Sequence, residues 1–130
     1  MHELHFKSVQ NTKNFELYGS WINFQKKYEF NPIHRHSGSF SFVIWLQIPY
    51  LKEEEDKQPS SVNARSKVAG SFFVLYSDFL GSLNTHHIPA DKTYEGKMIL
   101  FPSALWHGVN PFYTSDEYRI SVSGNIGAKV

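Results

Sequence analysis

Residues Ser39–Ile48 read SFSFVIWLQI, and this stretch decides the fold. A side chain that is large and apolar recurs at every second position of it, namely Phe40, Phe42, Ile44, Leu46 and Ile48. A two-residue period is that of a β-strand, because successive side chains of a strand point to opposite sides. We therefore predict a strand at these residues, with one strongly apolar face.

Shorter β-rich runs lie on both sides of this strand and are bounded by turn-forming residues. They are Trp21–Phe24, Ser71–Tyr76, Lys97–Phe101 and Tyr118–Ile126. No stretch shows sustained helical periodicity, although the N-terminal segment leaves room for a short helix. A chain of 130 residues fits one domain. The sequence thus predicts one all-β domain over residues 1–130, a sandwich or barrel for which a jelly roll of about eight strands fits.

One segment departs from this pattern. Residues 52–67 read KEEEDKQPSSVNARSK, with Val62 as the single large apolar side chain. Such a composition indicates a flexible, solvated loop. A long loop in a small domain can also serve as a lid over a site, and both interpretations stay open.

The balance of charged residues limits the classes of partner that the sequence predicts. Lys and Arg number 13 and Asp and Glu 12, so the net charge is +1 and nothing favours nucleic acid or an anionic membrane. A small molecule or a protein is the expected substrate or partner, and exposed strand edges favour a homodimer. The N-terminal sequence lacks a basic start followed by an apolar run, and no apolar stretch could span a bilayer, so we expect a cytoplasmic protein.

The histidines outline a metal site. The chain has no cysteine, which excludes disulfides and thiolate ligands, but it has seven His. His34 and His36 flank Arg35 with the spacing that places both on one side of a strand, and His107 follows a strand and a Pro-containing turn. The three could chelate one ion. The alternative is a pair of surface histidines without a ligand.

Arg119 and Ser121 have the same i, i+2 spacing in the last predicted strand. On an exposed amphipathic strand these polar groups would simply face solvent. Turned inward, they could together hold the carboxylate of an organic co-substrate, through one charge-assisted and one neutral hydrogen bond.

Taken together, three segments resemble the 2-oxoglutarate/Fe(II)-dependent oxygenases. They read NPIHRHSGSFSFVIWL, GKMILFPSALWHGV and YRISVSGNI, and the similarity spans roughly Trp21 to Ile126. They are more narrowly similar to a subgroup found in marine bacteria and their phages. The combination is specific, whereas each piece alone is not.

The resemblance implies a double-stranded β-helix that binds Fe(II) and uses 2-oxoglutarate as co-substrate. His34 and His107 would match the two ligand histidines of the family, and His36 would stand where an Asp or Glu usually stands. Arg119 and Ser121 would bind the co-substrate carboxylate, and Asn23 falls where some members place a residue that contacts the co-substrate. The implied activity is that of a hydroxylase-type dioxygenase.

The missing carboxylate keeps a second interpretation open. From Gly96 to Pro102 and His107 the spacing also resembles a cupin motif, with Ala104 replacing a Gly. A cupin-like metal binder, or a structural jelly roll without 2-oxoglutarate turnover, is therefore the alternative function. Several further polar residues are secondary candidates for the site, each also explained by an ordinary polar turn or edge strand: His86, His87, Asp78, Asp91 and Glu95.

Overall fold

The chain folds as a sandwich of two four-stranded antiparallel sheets in a computed structural model that describes residues 14–129. Sheet I has the strand order β1-β8-β3-β6 and sheet II the order β2-β7-β4-β5. This is the predicted all-β jelly roll, a double-stranded β-helix. The short helix allowed for in the N-terminal segment falls outside the described residues before Asn14. Within residues 14–129 no helix is long and apolar enough to cross a membrane.

Each predicted run overlaps one strand of the structure, and three further strands complete the sheets. The strands are β1 Phe15–Gln25, β2 Asn31–His34, β3 Phe40–Gln47, β4 Phe72–Ser77, β5 Leu83–Ile88, β6 Met98–Pro102, β7 Trp106–Val109 and β8 Arg119–Ala128. The helices are α1 Lys52–Asp56 and α2 Pro59–Val62, and a 3₁₀ turn covers Lys92–Tyr94. The Asp91 carboxylate caps this 3₁₀ turn by accepting a hydrogen bond from the Thr93 N–H at 2.9 Å.

The strongly apolar face predicted for β3 lies mostly on the outer side of the sheet. Its inward side carries Ser41, Val43 and Trp45, which are buried, whereas Phe40, Phe42 and Leu46 lie on the outer side and are half-buried or exposed. The inner side of sheet I lines a cavity that needs polar groups, so hydrophobicity does not mark the inward side here. The buried apolar core lies beside that cavity and comprises Val43, Trp45, Ile48, Tyr50, Phe72, Ala90, Phe101 and Phe112.

Residues 52–67 are mostly exposed, as predicted, but they form α1 and α2 where a loop was expected. Glu55 is fully buried, and its carboxylate accepts hydrogen bonds from the Tyr113 and Thr114 backbone N–H groups at 2.8 and 3.0 Å and from the Thr114 hydroxyl. A buried carboxylate with three donors anchors the segment to the chain before β8. No residue of 52–67 lines the large cavity between the sheets, so the lid interpretation receives no support.

Candidate metal centre and co-substrate pocket

A cavity of about 730 Å³ lies between the inner sides of the two sheets. All six residues proposed from the sequence line it: Asn23, His34, His36, His107, Arg119 and Ser121. They come from both sheets and from the segment after β2. The fold therefore brings residues that are up to 98 positions apart in the chain into one site.

The three histidines converge as the sequence predicted. The β2–β7 pairing sets His34 directly opposite His107, and His36 follows two residues beyond the end of β2. Each imidazole offers one nitrogen, and these nitrogens lie within 4.8 Å of one another. Nitrogen ligands of a divalent ion stand about 2.0–2.1 Å from it, so small side-chain adjustments suffice for all three to bind one ion.

Two of the rings are already oriented for a metal. His34 Nδ1 lies 2.7 Å from the Pro32 carbonyl oxygen and His107 Nδ1 lies 2.9 Å from the Leu105 carbonyl oxygen. A carbonyl only accepts, so each Nδ1 carries the proton and donates it. Nε2 is left with its lone pair, which is the tautomer that metal-binding histidines use.

The electrostatics also favour neutral rings. Burial lowers the pKa of His107 to about 4, and the neighbouring His34 and His36 lower it further. The Leu105 carbonyl opposes this shift without cancelling it. Burial and the nearby His34 likewise lower the pKa of His36. At neutral pH both imidazoles are thus unprotonated and ready to donate to a cation.

Arg119 lies at the start of β8 and is only 4% exposed. Its Nη1 donates to Gln25 Oε1 at 3.2 Å, and its Nε has no hydrogen-bond partner among the described residues. No carboxylate of residues 14–129 forms a salt bridge with it. A buried guanidinium in this condition is suited to a carboxylate from outside the chain.

Tyr50 does not supply the missing negative charge. Burial raises the pKa of Tyr50 to about 12, although Arg119 opposes the shift. Its hydroxyl donates to the Gly70 carbonyl oxygen at 2.7 Å and so remains a neutral phenol at physiological pH.

Asn23 and Ser121 meet across the β1–β8 pair, where they occupy opposite positions in the register. The Asn23 side-chain amide donates to Ser123 Oγ at 3.0 Å and lies 3.4 Å from Ser121 Oγ. Ser121 is two residues from Arg119 and faces the same cavity. The hydroxyl, the amide and the guanidinium thus line the same cavity.

Sequence reasoning missed two residues of this site. Gln25 accepts from Arg119 and orients it, and Trp21 packs its ring 5.5 Å from the ring of His36. Both alternate with Asn23 along β1. Trp21 already lies in the predicted run Trp21–Phe24, and extending that run by one residue would have added Gln25. Their neighbours across the sheet, Arg119 and Ser123, supply the confirming pattern.

The secondary candidates have structural roles. Asp78 accepts from the Leu80 and Ser82 backbone N–H groups, and Glu95 accepts from the Ile48 N–H. Asp91 caps the 3₁₀ turn, as described above. His86 and His87 lie on β5, an edge strand, where His87 Nδ1 is 3.1 Å from Ser71 Oγ.

Comparison with known proteins places the chain in a family. Residues 19–125 match the model of a family described as "Putative 2OG-Fe(II) oxygenase". The match covers most of the chain, and the protein therefore belongs to this family. That family implies Fe(II) and 2-oxoglutarate, and the three-His group and Arg119 are the residues that fit them. A search of curated proteins found no match.

A solved structure shows the same fold. It is the crystal structure of an oxidoreductase of the 2OG-Fe(II) oxygenase family from Burkholderia pseudomallei, with a TM-score of 0.57 and 19% sequence identity. The similarity covers 94% of this chain and 48% of that one. The present chain thus spans about half the length of that protein.

Proposed function

We propose that this protein is an Fe(II)- and 2-oxoglutarate-dependent oxygenase of the hydroxylase type. One observation carries the proposal: three imidazole nitrogens within 4.8 Å of one another share a cavity with a buried arginine that has no carboxylate partner within residues 14–129. A cation site and an anion site in one cavity suit a metal and an anionic co-substrate together.

Each residue has a role in this proposal. His34 and His107 hold the metal through Nε2, and His36 supplies the third imidazole nitrogen. Arg119 binds the carboxylate of 2-oxoglutarate that lies away from the metal, and Ser121 adds a neutral hydrogen bond. Asn23 orients the Ser121 hydroxyl through its side-chain amide. When bound, Fe(II) and 2-oxoglutarate together supply oxidation of a substrate C–H bond by dioxygen, with release of succinate and carbon dioxide.

The replacement of the usual carboxylate by His36 sets the charge of the site. Three neutral imidazoles leave the two positive charges of Fe(II) unbalanced, and Arg119 adds a third. The dianion of 2-oxoglutarate offsets two of them. We therefore expect the site to bind the co-substrate strongly once the metal is present.

The cavity also leaves room for a substrate. Its volume of about 730 Å³ is within the range of sites that enclose drug-sized ligands, whereas 2-oxoglutarate has only five carbons. The proposed substrate is a small molecule or a side chain of another protein. Trp21 lies beside His36, so its ring would contact a substrate near the metal.

The test is an anaerobic titration with Fe(II) followed by 2-oxoglutarate. The chelated complex has a weak visible charge-transfer band, which we expect in the wild type. We expect His107→Ala to abolish the band and Arg119→Ala to require much more 2-oxoglutarate for it. His86→Ala is the matched control, because His86 is an exposed histidine on β5, and it should leave the titration unchanged.

Binding of iron without any band would contradict the co-substrate site and favour the alternative, a cupin-like metal-binding jelly roll without 2-oxoglutarate turnover. The neutral three-His donor set is the observation that supports this alternative. Thermal unfolding separates the two functions. An oxygenase is stabilised by 2-oxoglutarate only when Fe(II) or Mn(II) is present, whereas a plain metal binder responds to metal alone.

A further inference from the structure

The outer side of sheet I is an apolar face that covers all four strands. Cross-strand register places its residues in rows: Ile22, Val122, Ile44 and Met98 form one row, and Ser20, Gly124, Phe42 and Leu100 form the next. We call this surface the outer face of sheet I. Not one position in these two rows is charged.

Much of this face is accessible to solvent in the single chain. The exposed fractions are 59% for Phe24, 56% for Met98, and 54% for Leu100 and Ile22. Soluble proteins normally place charged residues on the solvent side of an antiparallel sheet. The largest apolar patch on a typical monomer is about 300–600 Å², so an uncharged face across four strands marks an interaction surface.

The size of the face matches that of a stable interface. Seven large apolar side chains on it are about half exposed or more: Phe15, Leu17, Ile22, Phe24, Leu46, Met98 and Leu100. At roughly 100 Å² each, they offer about 700 Å², and the partly buried neighbours bring the total near the 800 Å² that each partner contributes to a standard interface.

We propose that the outer face of sheet I binds the same face of a second copy of this chain. A two-fold dimer requires one self-complementary patch, and an uncharged, unbroken sheet surface meets that requirement without any matching of charges. Two such sheets pack face to face about 10 Å apart, with their strands within about 30° of one another.

This dimer leaves the cavity free. Side chains alternate along each strand, so Arg119, Ser121 and Asn23 project to the inner side of sheet I while the dimer contacts occupy the outer side. Association therefore does not depend on the metal or the co-substrate. The proposal can fail or succeed independently of the proposed oxygenase activity.

Sedimentation velocity tests the proposal through the molecular mass. We expect the wild type to sediment at twice the 15.1 kDa of one chain at micromolar concentration. Leu100→Glu, which places a charge in the face, should weaken the dimer by about tenfold or more. Phe79→Glu is the matched control, because Phe79 is 95% exposed in the turn that joins β4 and β5 of sheet II, and it should leave the dimer intact.

Cross-linking locates the contact without relying on a disruptive variant. The chain has no cysteine, so Ile22→Cys and Leu80→Cys each introduce a single thiol. A short bis-maleimide should join two copies of the Ile22 variant and leave the Leu80 variant uncoupled. A wild type that stays monomeric at about 100 µM, or dimers equally sensitive to Phe79→Glu, would overturn the proposal. Monomers that instead bind phosphatidylcholine vesicles would assign the face to a membrane and would overturn it as well.

Discussion

Arg119 lowers the stability of the ligand-free protein because its charge is buried, and the same charge serves the proposed binding of an anion. Burial lowers its pKa, yet a guanidinium remains charged in proteins, so the protein carries a desolvated cation. Gln25 offers one neutral acceptor, which offsets only part of that cost. A buried charge retained under these conditions is characteristic of a binding site for an anion.

The substitution Arg119→Met tests both the cost of this buried charge to stability and its role in binding 2-oxoglutarate. Methionine keeps a long apolar side chain and removes the charge, so we expect the free energy of unfolding of the ligand-free protein to rise by about 1–3 kcal/mol. Stabilisation by 2-oxoglutarate with Mn(II) should disappear at the same time. Urea unfolding with and without both ligands measures the two effects.

Arg35→Met is the control for that substitution. Arg35 is exposed, with its guanidinium 5.3 Å from the Trp106 ring centroid, so its loss should change stability by less than about 1 kcal/mol. A less stable Arg119→Met variant would contradict the interpretation, because it would give the guanidinium a structural role.

His36 sets the charge at the metal, and His36→Asp would restore the carboxylate that the family usually has. The added negative charge lies close to where 2-oxoglutarate binds. We expect the dissociation constant of 2-oxoglutarate from the Fe(II)-loaded protein to rise about tenfold or more, because two like charges at an effective dielectric constant of about 20 repel by a few kcal/mol. Anaerobic calorimetry provides the measurement.

His36→Asn separates charge from shape in that experiment. Asparagine has the size of aspartate and no charge, so its effect on 2-oxoglutarate should be smaller than that of His36→Asp at saturating metal. Equal affinities in the two variants would show that the charge of the donor set does not govern co-substrate binding.

At the level of elements, the pairing of β1 with β8 supports one wall of the site, and Gly124 is a position where the two backbones approach closely. A Cβ at Gly124 would lie 2.5 Å from Phe42 Cζ and 2.7 Å from the Gly19 carbonyl oxygen. The second contact is with backbone, which cannot turn aside as a flexible side chain does. The packing at Gly124 therefore fixes the spacing of the strands that carry Asn23 and Ser121.

Gly124→Ala should accordingly destabilise the fold by about 1–3 kcal/mol, as overpacking typically does. Gly19→Ala is the matched control, since a Cβ at Gly19 meets nothing within 4 Å, and its effect should stay below about 1 kcal/mol. Thermal unfolding of the two variants gives the comparison. Similar losses in both would show that lost glycine flexibility, and not the close approach at Gly124, determines the result.

The elements also show what sequence patterns can and cannot predict. Period two identified β3 and β8 correctly, because backbone geometry alone produces it. It did not identify the inward side of β3, since Ser41 and Val43 face the cavity while Phe40 and Phe42 lie outside. When the inner side of a sheet lines a polar site and its outer side is an apolar interaction surface, the more hydrophobic side of a strand is the outer one.

The chemical type of the side chains predicted the candidate site better than the hydrophobic pattern did. His34, His36 and His107 could be grouped from the sequence because their side chains have few other uses at such spacings. Gln25 could not, because an amide beside a guanidinium is recognised only once β1 and β8 are paired. Glu55 illustrates the same limit, since its donors at residues 113 and 114 are set by tertiary structure.

At the scale of the whole molecule, the site joins the two sheets, so its state contributes to global stability. His34 and His107 belong to sheet II, whereas Arg119 and Asn23 belong to sheet I. A metal bridged to Arg119 by the co-substrate would therefore tie the sheets together. Ligand binding then stabilises the fold as a unit, in proportion to the logarithm of ligand concentration over its dissociation constant.

The burial of His107 between the sheets also makes the stability of the metal-free protein depend on pH. The pKa of His107 is about 4 in the folded state and 6.5 in its ordinary state, so between these values the unfolded chain binds the extra proton and the folded chain does not. The free energy of unfolding should therefore fall as pH decreases from 6.5 towards 4, by up to about 1.4 kcal/mol per pH unit and about 3 kcal/mol in all, and level off below. The lowered pKa of His36 acts in the same direction.

Urea unfolding across this pH range, with a chelator present, tests the prediction on the wild type and on His107→Gln. The comparison isolates the contribution of His107, because the carboxylates are common to both proteins. Parallel curves for the two proteins would mean that His107 titrates normally, and a shallower curve for His107→Gln is the expected result.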